Sequence, residues 1–280
     1  MPNSSPFTAL ATALVPASVC VALSPAACEK EHIGTVVGPP LLAAPPSAPS
    51  RPATLDFVEV RGKNVATAPK AESFALRPCE EVLVAVVAAK VDVLGESLSE
   101  GDVLVAMGEG TLTITTPLPS ARVALGRVVP TSPCGAAGKL SAQVVRASAA
   151  PELTWAGGKM HAHLDVEKSL SPAAYMGRLS GAAPVAEHTH PDSWELICSM
   201  EATGTFRMDG QDTRMTSGQC AAVPPGVKHQ WTPDPGTSLT AVQMYVPPGP
   251  EQRFRALAAA ATTPAAATAP AGAATPDGGR

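Results

Sequence analysis

The feature that most restricts this chain is the length of its apolar runs. Between residues 55 and 257, stretches rich in Val, Ile, Leu and Thr last five to nine residues and then stop at Gly, Pro or Asp. The clearest are 55–60, 81–89, 102–107, 111–115, 123–129, 173–179, 195–200, 204–208 and 240–246. An amphipathic helix needs a longer segment and a 3.6-residue period, and no segment sustains one. Short, turn-bounded runs are what a sandwich or barrel of antiparallel strands requires. The expectation is therefore an all-β protein. Composition agrees: 30 Pro and 23 Gly supply turns, and with 45% hydrophobic but only 4% aromatic residues the core is aliphatic.

The two ends are different matter. No charged side chain occurs from Met1 to Ala27, and residues 7–28 are apolar but interrupted by Pro16 and Pro25. Residues 1–28 therefore read as a signal leader. The stretch Leu23-Ser24-Pro25-Ala26-Ala27-Cys28 resembles a bacterial lipoprotein cleavage site, which implies a lipid anchor at Cys28. Export to the periplasm or to the membrane surface is the expectation, with a cytoplasmic location as the alternative. Residues 29–54 are a Pro-rich linker. Residues 258–280 are an Ala/Thr/Pro tail with too little apolar surface to fold, although its first alanines can prolong a short helix begun at 251–255. The folded middle divides into 55–150 and 151–257.

These two parts look like copies. Glu80-Glu81-Val82-Leu83-Val84 resembles Trp194-Glu195-Leu196-Ile197-Cys198, and laying Glu80 on Glu195 puts Gly95 on Gly210 without a gap. Gly101-Asp102-Val103-Leu104 then falls near Gly218-Gln219-Cys220-Ala221.

Three of the six His lie in one ordered pattern in the second copy. Gly181 precedes His188-Thr189-His190, then come Glu195 and Gly204; later Gly218, Pro224-Pro225-Gly226 and His229 spell G-x5-P-P-G-x-x-H. This pattern resembles the two motifs of the cupin superfamily. The resemblance implies two cupin-like antiparallel β-barrels (double-stranded β-helices, or jelly rolls) in a bicupin arrangement. It also implies a metal on His188, His190, Glu195 and His229.

The residue chemistry points the same way. Residues i and i+2 of a strand share a face, so the His188 and His190 imidazoles would project together. Asp209-Gly210 is a hairpin signal, and Pro224-Pro225-Gly226 is a rigid turn that delivers His229 to a strand. Three neutral imidazoles and a carboxylate suit one divalent transition metal (Fe, Mn, Ni, Zn or Cu, which the sequence does not distinguish) with positions left open for a ligand. No thiolate belongs to the set, which argues against a closed structural zinc site. His161-Ala162-His163 with Glu167 spells a similar pattern but has no Pro-Gly-His partner, and reads as an exposed edge strand. In the first copy the alignment puts Ser73 and Ala75 opposite His188 and His190, so that barrel is expected to be a degenerate copy without a metal site.

The remaining cysteines, Cys79, Cys134, Cys198 and Cys220, fall two per copy. Cys79–Cys134 and Cys198–Cys220 are candidate disulfides if the protein is exported, and buried thiols otherwise. A net charge of -4 without clustered Lys or Arg argues against a nucleic-acid partner. No P-loop, G-x-S-x-G or dinucleotide fingerprint occurs. What the resemblance implies is a metal-dependent enzyme (dioxygenase, isomerase or lyase) acting on a small oxygenated molecule. A non-catalytic extracytoplasmic module that binds a small ligand or sugar is the alternative, and a homo-oligomer joined through sheet edges is compatible with both. Pocket neighbours are expected among Trp194, Phe206, Gln230, Trp231, Met244 and Tyr245, with Trp231 the best wall because it shares strand parity with His229.

Overall fold

Alternation decides the architecture: along each long strand one set of side chains faces a barrel interior and the other set faces a second sheet. The computed structural model describes residues 52–62, 72–129 and 138–262. The first half pairs a five-stranded sheet with a four-stranded one. The five-stranded sheet runs β1 (Ala53–Arg61), β8 (Ser120–Val128), β3 (Glu81–Ala88), β6 (Val103–Met107) and β9 (Ser141–Val145). Facing it are β2 (Glu72–Leu76), β7 (Gly110–Thr115), β4 (Lys90–Val93) and β5 (Glu96–Ser99).

The second half repeats the order. Its six-stranded sheet runs β10 (Glu152–Trp155), β11 (Met160–Val166), β12 (Tyr175–Gly181), β19 (Leu239–Val246), β14 (Trp194–Glu201) and β17 (Cys220–Val223). Its smaller sheet runs β13 (Val185–His188), β18 (His229–Pro233), β15 (Thr203–Met208) and β16 (Gln211–Thr216). Thus β1-β8-β3-β6 matches β12-β19-β14-β17, and β2-β7-β4-β5 matches β13-β18-β15-β16. All strand pairs of these sheets are antiparallel. A final helix, α1 (Gln252–Thr262), packs on β10.

The repeat is real in topology, but its register differs from the one read in the sequence. Both copies carry an irregularity at the same place, between Val86 and Ala88 in β3 and between Ser199 and Glu201 in β14. Matching these puts Val82, not Glu80, on Glu195. The alignment of Gly95 with Gly210 caught the hairpin tips and slipped on the strands, because β15 and β16 are each two residues longer than β4 and β5. Following the pairings outward puts Phe74 on His188 and Leu112 on His229. Ser73 and Ala75 are exposed on the other face. Phe74, Val82 and Leu112 are buried together, so the first barrel has apolar core where the second has its histidines.

Three cores follow from the alternation. One fills the first barrel (Val60, Val84, Ile114 among others) and one fills the second (Leu164, Ile197, Met215). The third lies between the five- and six-stranded sheets, where Leu55, Leu83 and Val105 meet Met176, Leu196 and Met244. Gly126 permits this approach: a Cβ there would lie 2.7 Å from the Met244 Sδ. A buried hydrogen bond from the Ser171 hydroxyl to Glu81 also links the halves.

Strand β1 starts at Ala53, two residues inside the expected linker, and α1 takes in residues 258–262 of the expected tail. The leader with Cys28, linker residues 29–51, tail residues 263–280 and Cys134 lie outside the described residues.

Candidate metal centre

Each of the four cluster residues reaches the centre by a different device. Glu195 is the second residue of β14, buried and flanked by Val223 of β17 and Tyr245 of β19. His229 opens β18 directly after the Pro-Gly turn, in which Val227 N–H bonds the Pro224 carbonyl and Gly226 takes φ +75°. That turn needs a glycine at its third position. Gly226 N–H also donates to the His190 carbonyl at 2.8 Å, tying the two motifs together. At the far end of β15, Asp209 (φ 50°) and Gly210 (φ 75°) form the tight hairpin that the sequence signalled. His188 ends β13, whereas His190 lies past the strand in the following loop. Strand parity is therefore not what joins these two imidazoles; the loop and the Gly226 hydrogen bond carry His190 inward.

The ligand atoms of His188, His190, Glu195 and His229 all lie within 4.8 Å of one another. The His190 Nε2 is 3.0 Å from Glu195 Oε2, and the His229 Nε2 is 2.7 Å from the same oxygen. Only the His190 contact is aligned as a hydrogen bond; the buried His229 Nε2 has no hydrogen-bond partner despite its proximity. The outer nitrogens explain this. His188 Nδ1 lies 2.8 Å from the Ala186 carbonyl and His229 Nδ1 lies 3.0 Å from the Val227 carbonyl. A carbonyl only accepts, so both Nδ1 atoms donate and neutral rings keep their Nε2 lone pairs toward the centre. A lone pair 2.7 Å from a carboxylate oxygen is repulsive unless a proton or a cation intervenes. The donor set thus fits a divalent cation, and the cluster could hold one.

Burial and the neighbouring His229 push the His188 imidazole down to about 4. Burial alone would raise Glu195, but the His190 hydrogen bond and the His229 imidazole close beside it hold it well below the usual carboxylate range. Burial lowers His229, and Glu195 outweighs it to raise the imidazole above its ordinary value.

A cavity of about 200 Å³ opens onto the cluster. Phe206, Gln230 and Trp231 line it, with His188, Glu195 and His229 at its base. Tyr245 lies below, its ring 5.0 Å from that of His190, and is buried rather than lining the cavity. Met244 and Trp194 face the other way, into the core between the two sheets. Consecutive residues in a strand cannot share a face, so Met244 is excluded by Tyr245 and Trp194 by Glu195. The sequence reading missed Trp155, Arg253 and Phe254, which also line the cavity. The strand pattern could not point to them, because they come from β10 and α1, outside the repeated strands.

His161 and His163 sit on β11, which β10 covers, so β11 is not an edge. His161 Nδ1 lies 3.0 Å from Glu152, and neither His belongs to the cluster. Cys198 and Cys220 face each other across β14 and β17 and are joined by a disulfide.

Residues 177–240 match the family model described as Cupin domain. The second barrel is a cupin domain. No curated protein matches the chain by sequence. Solved structures share the cupin fold. Salicylate 1,2-dioxygenase from Pseudaminobacter salicylatoxidans is 12% identical, with 72% of this chain and 73% of that one covered at a TM-score of 0.50. AerE from Microcystis aeruginosa is 8% identical, with 70% and 88% covered at 0.51. An IolB-like protein from Salmonella typhimurium LT2 is 11% identical, with 70% and 84% covered at 0.53. At such identities the likeness establishes the fold alone.

Proposed function

We propose that the cupin domain holds one divalent transition-metal ion on His188, His190, Glu195 and His229 and acts on a small oxygenated molecule bound beside it. The observation that carries this is the convergence of four ligand atoms within 4.8 Å at the base of a cavity. A divalent ion on three neutral imidazoles and one carboxylate keeps a net charge near +1 and supplies Lewis-acid or oxygen-activating chemistry of the dioxygenase or isomerase type. The chain's own part is positional. Ala186 and Val227 fix the His188 and His229 tautomers, Glu195 supplies the only anion, and the aromatic walls exclude water.

The test is elemental analysis of untagged full-length protein. The wild type should carry about one ion per chain, His188→Ala/His190→Ala none, and His161→Ala/His163→Ala the wild-type amount. Metal retained by the first double variant, or lost by the second, refutes the reading.

A second reading, a non-catalytic binding module, is favoured by one feature. Apart from the cluster residues and Arg253, no described residue lining the cavity titrates, so no separate acid or base is in place. Turnover by the metal-loaded protein decides between the two. We also place the protein outside the cytoplasm, anchored at Cys28, a reading that the Cys198–Cys220 disulfide supports. Full-length protein with Met1 intact in the cytoplasmic fraction would overturn it.

A further inference from the structure

Among the described residues Arg253 is the one Lys or Arg lining the cavity. It is half-buried on α1, and among the described residues its guanidinium has no carboxylate partner. Its neighbours in the second half behave otherwise. Arg178 pairs with Asp165, Arg207 with Asp212, Arg214 with Asp234 and Arg255 with Glu167. The helix does not call for this charge either: Arg253 occupies the first turn, where the macrodipole disfavours a cation. Its position is nevertheless fixed, because the adjacent Phe254 is buried and stacks on Trp155 with ring centroids 5.5 Å apart.

Away from the metal cluster the wall is mostly apolar, with Trp155, Phe206, Trp231, Phe254, Leu179 and Ile197, and among the described residues Gln230 is its only amide or hydroxyl side chain. A polyhydroxylated ligand such as a sugar would lose water from many hydroxyls and find too few partners there to replace it. The size is also limiting. A cavity of about 200 Å³ is modestly larger than the roughly 150 Å³ that admits benzene. An unpaired guanidinium beside such walls matches a carboxylate attached to a compact apolar body, because Arg takes carboxylates in a two-pronged, charge-assisted contact.

We propose that the ligand of this site is a small monocarboxylate with a body of about one ring, and that Arg253 is the residue that recognises its carboxylate. The proposal rests on the reading of this cavity as the ligand site. It makes α1 and β10, which lie outside the repeated strands, the specificity element of the domain.

Calorimetric titration of the full chain, with its metal content measured in parallel, tests this. The probes are benzoate, its uncharged counterpart benzamide, and glucose. Benzoate should bind at least about tenfold more tightly than benzamide, and glucose should not bind. Arg253→Gln should erase the preference for benzoate, and Arg253→Lys should keep part of it. Arg255→Gln, whose partner Glu167 is outside the cavity, should bind as the wild type does. Metal content should be unchanged in all three variants, since Arg253 is not a ligand. The proposal is overturned if benzamide equals benzoate, if benzoate gives no heat at millimolar concentration, or if Arg253→Gln binds benzoate normally. If the wild type carries no metal, the metal reading fails, and the benzoate–benzamide comparison on the metal-free chain still decides the role of Arg253.

Discussion

Gly204→Ala is the smallest change that should disturb both the fold and the candidate site. Gly204 lies on β15, opposite the part of β18 that carries Trp231, and an ideal Cβ there would fall 2.6 and 2.7 Å from Cη2 and Cζ2 of the indole. Ordinary contact begins near 3.4 Å, so the ring would have to retreat by about 0.8 Å. Trp231 is 4% exposed, and the indole can yield only toward the cavity it lines. The nearest atom to the new Cβ is backbone, the Thr232 oxygen at 2.4 Å, which cannot swing aside. Overpacking a rigid site of this kind costs about 3 kcal/mol, the upper end of the usual range. For a domain pair of this size that is a fall in Tm of about 6–12 °C. Gly126→Ala is the matched control, because the atoms its Cβ would meet are the Met244 Sδ at 2.7 Å and the Met176 Cε at 2.9 Å. Thioether ends can swing aside, so the cost there should be about 1 kcal/mol. Calorimetry gives the two Tm values, and tryptophan emission reports whether the indole has moved. An unchanged Tm and spectrum for Gly204→Ala, or a larger loss for Gly126→Ala, would refute the steric argument.

Three further outcomes are expected. In metal-free protein, ring resonances should show His188 titrating near pH 4 and His229 above its ordinary value, so acidification protonates His229 first. In stability, the His229–Glu195 attraction is then fully present below the unfolded pKa and is lost as pH rises through the folded one. The lowered His188 instead costs stability as pH falls from about 6.5 to about 4. The opposite order of titration would contradict the assignment of their surroundings. Reduction of Cys198–Cys220, which closes a separation of 22 residues, should cost about 3 kcal/mol, and an unchanged Tm in reductant would exclude that contribution. Glu80→Gln should leave metal content untouched but cost about 1–2 kcal/mol, since Arg127, 2.8 Å away and partly exposed, loses its partner; a fall in metal content would link the first barrel to the site.

Every apolar run picked out in the sequence became a strand, because burial on both faces concentrates apolar residues in β1, β3, β8, β14 and β19. Strands such as β5 (ESLS) and β16 (QDTRMT) were not legible; one face meets water and their polar residues look like loop. The His-His-Glu-His set could be read because fixed turns impose fixed spacing, and Gly226 and Asp209-Gly210 carry that spacing in their backbone angles. Arg253 and Trp155 left no such trace. They meet the cavity through the packing of α1 on β10, a contact between residues nearly a hundred positions apart with no turn to announce it.

The core between the two sheets has a bearing on which substitutions each half can absorb. Glu195 belongs to the cavity, but its neighbour Leu196 and the alternate residues Trp194 and Cys198 are seated against the first half. Strand β14 thus answers to two masters at successive residues. Where the second barrel has His188 and His229 the first has Phe74 and Leu112, which have only an interior to fill. Leu83, Ala85 and Val105 on the outer face of that same barrel have the facing sheet to cover instead. Were they to shrink or become polar, the back of the cupin sheet would be left as an open apolar surface, ready to stick to another molecule. A chain cut at residue 151 would present the same surface all at once. The barrel without histidines thus acts as a cover, its outer face keeping the apolar back of the neighbouring sheet from water.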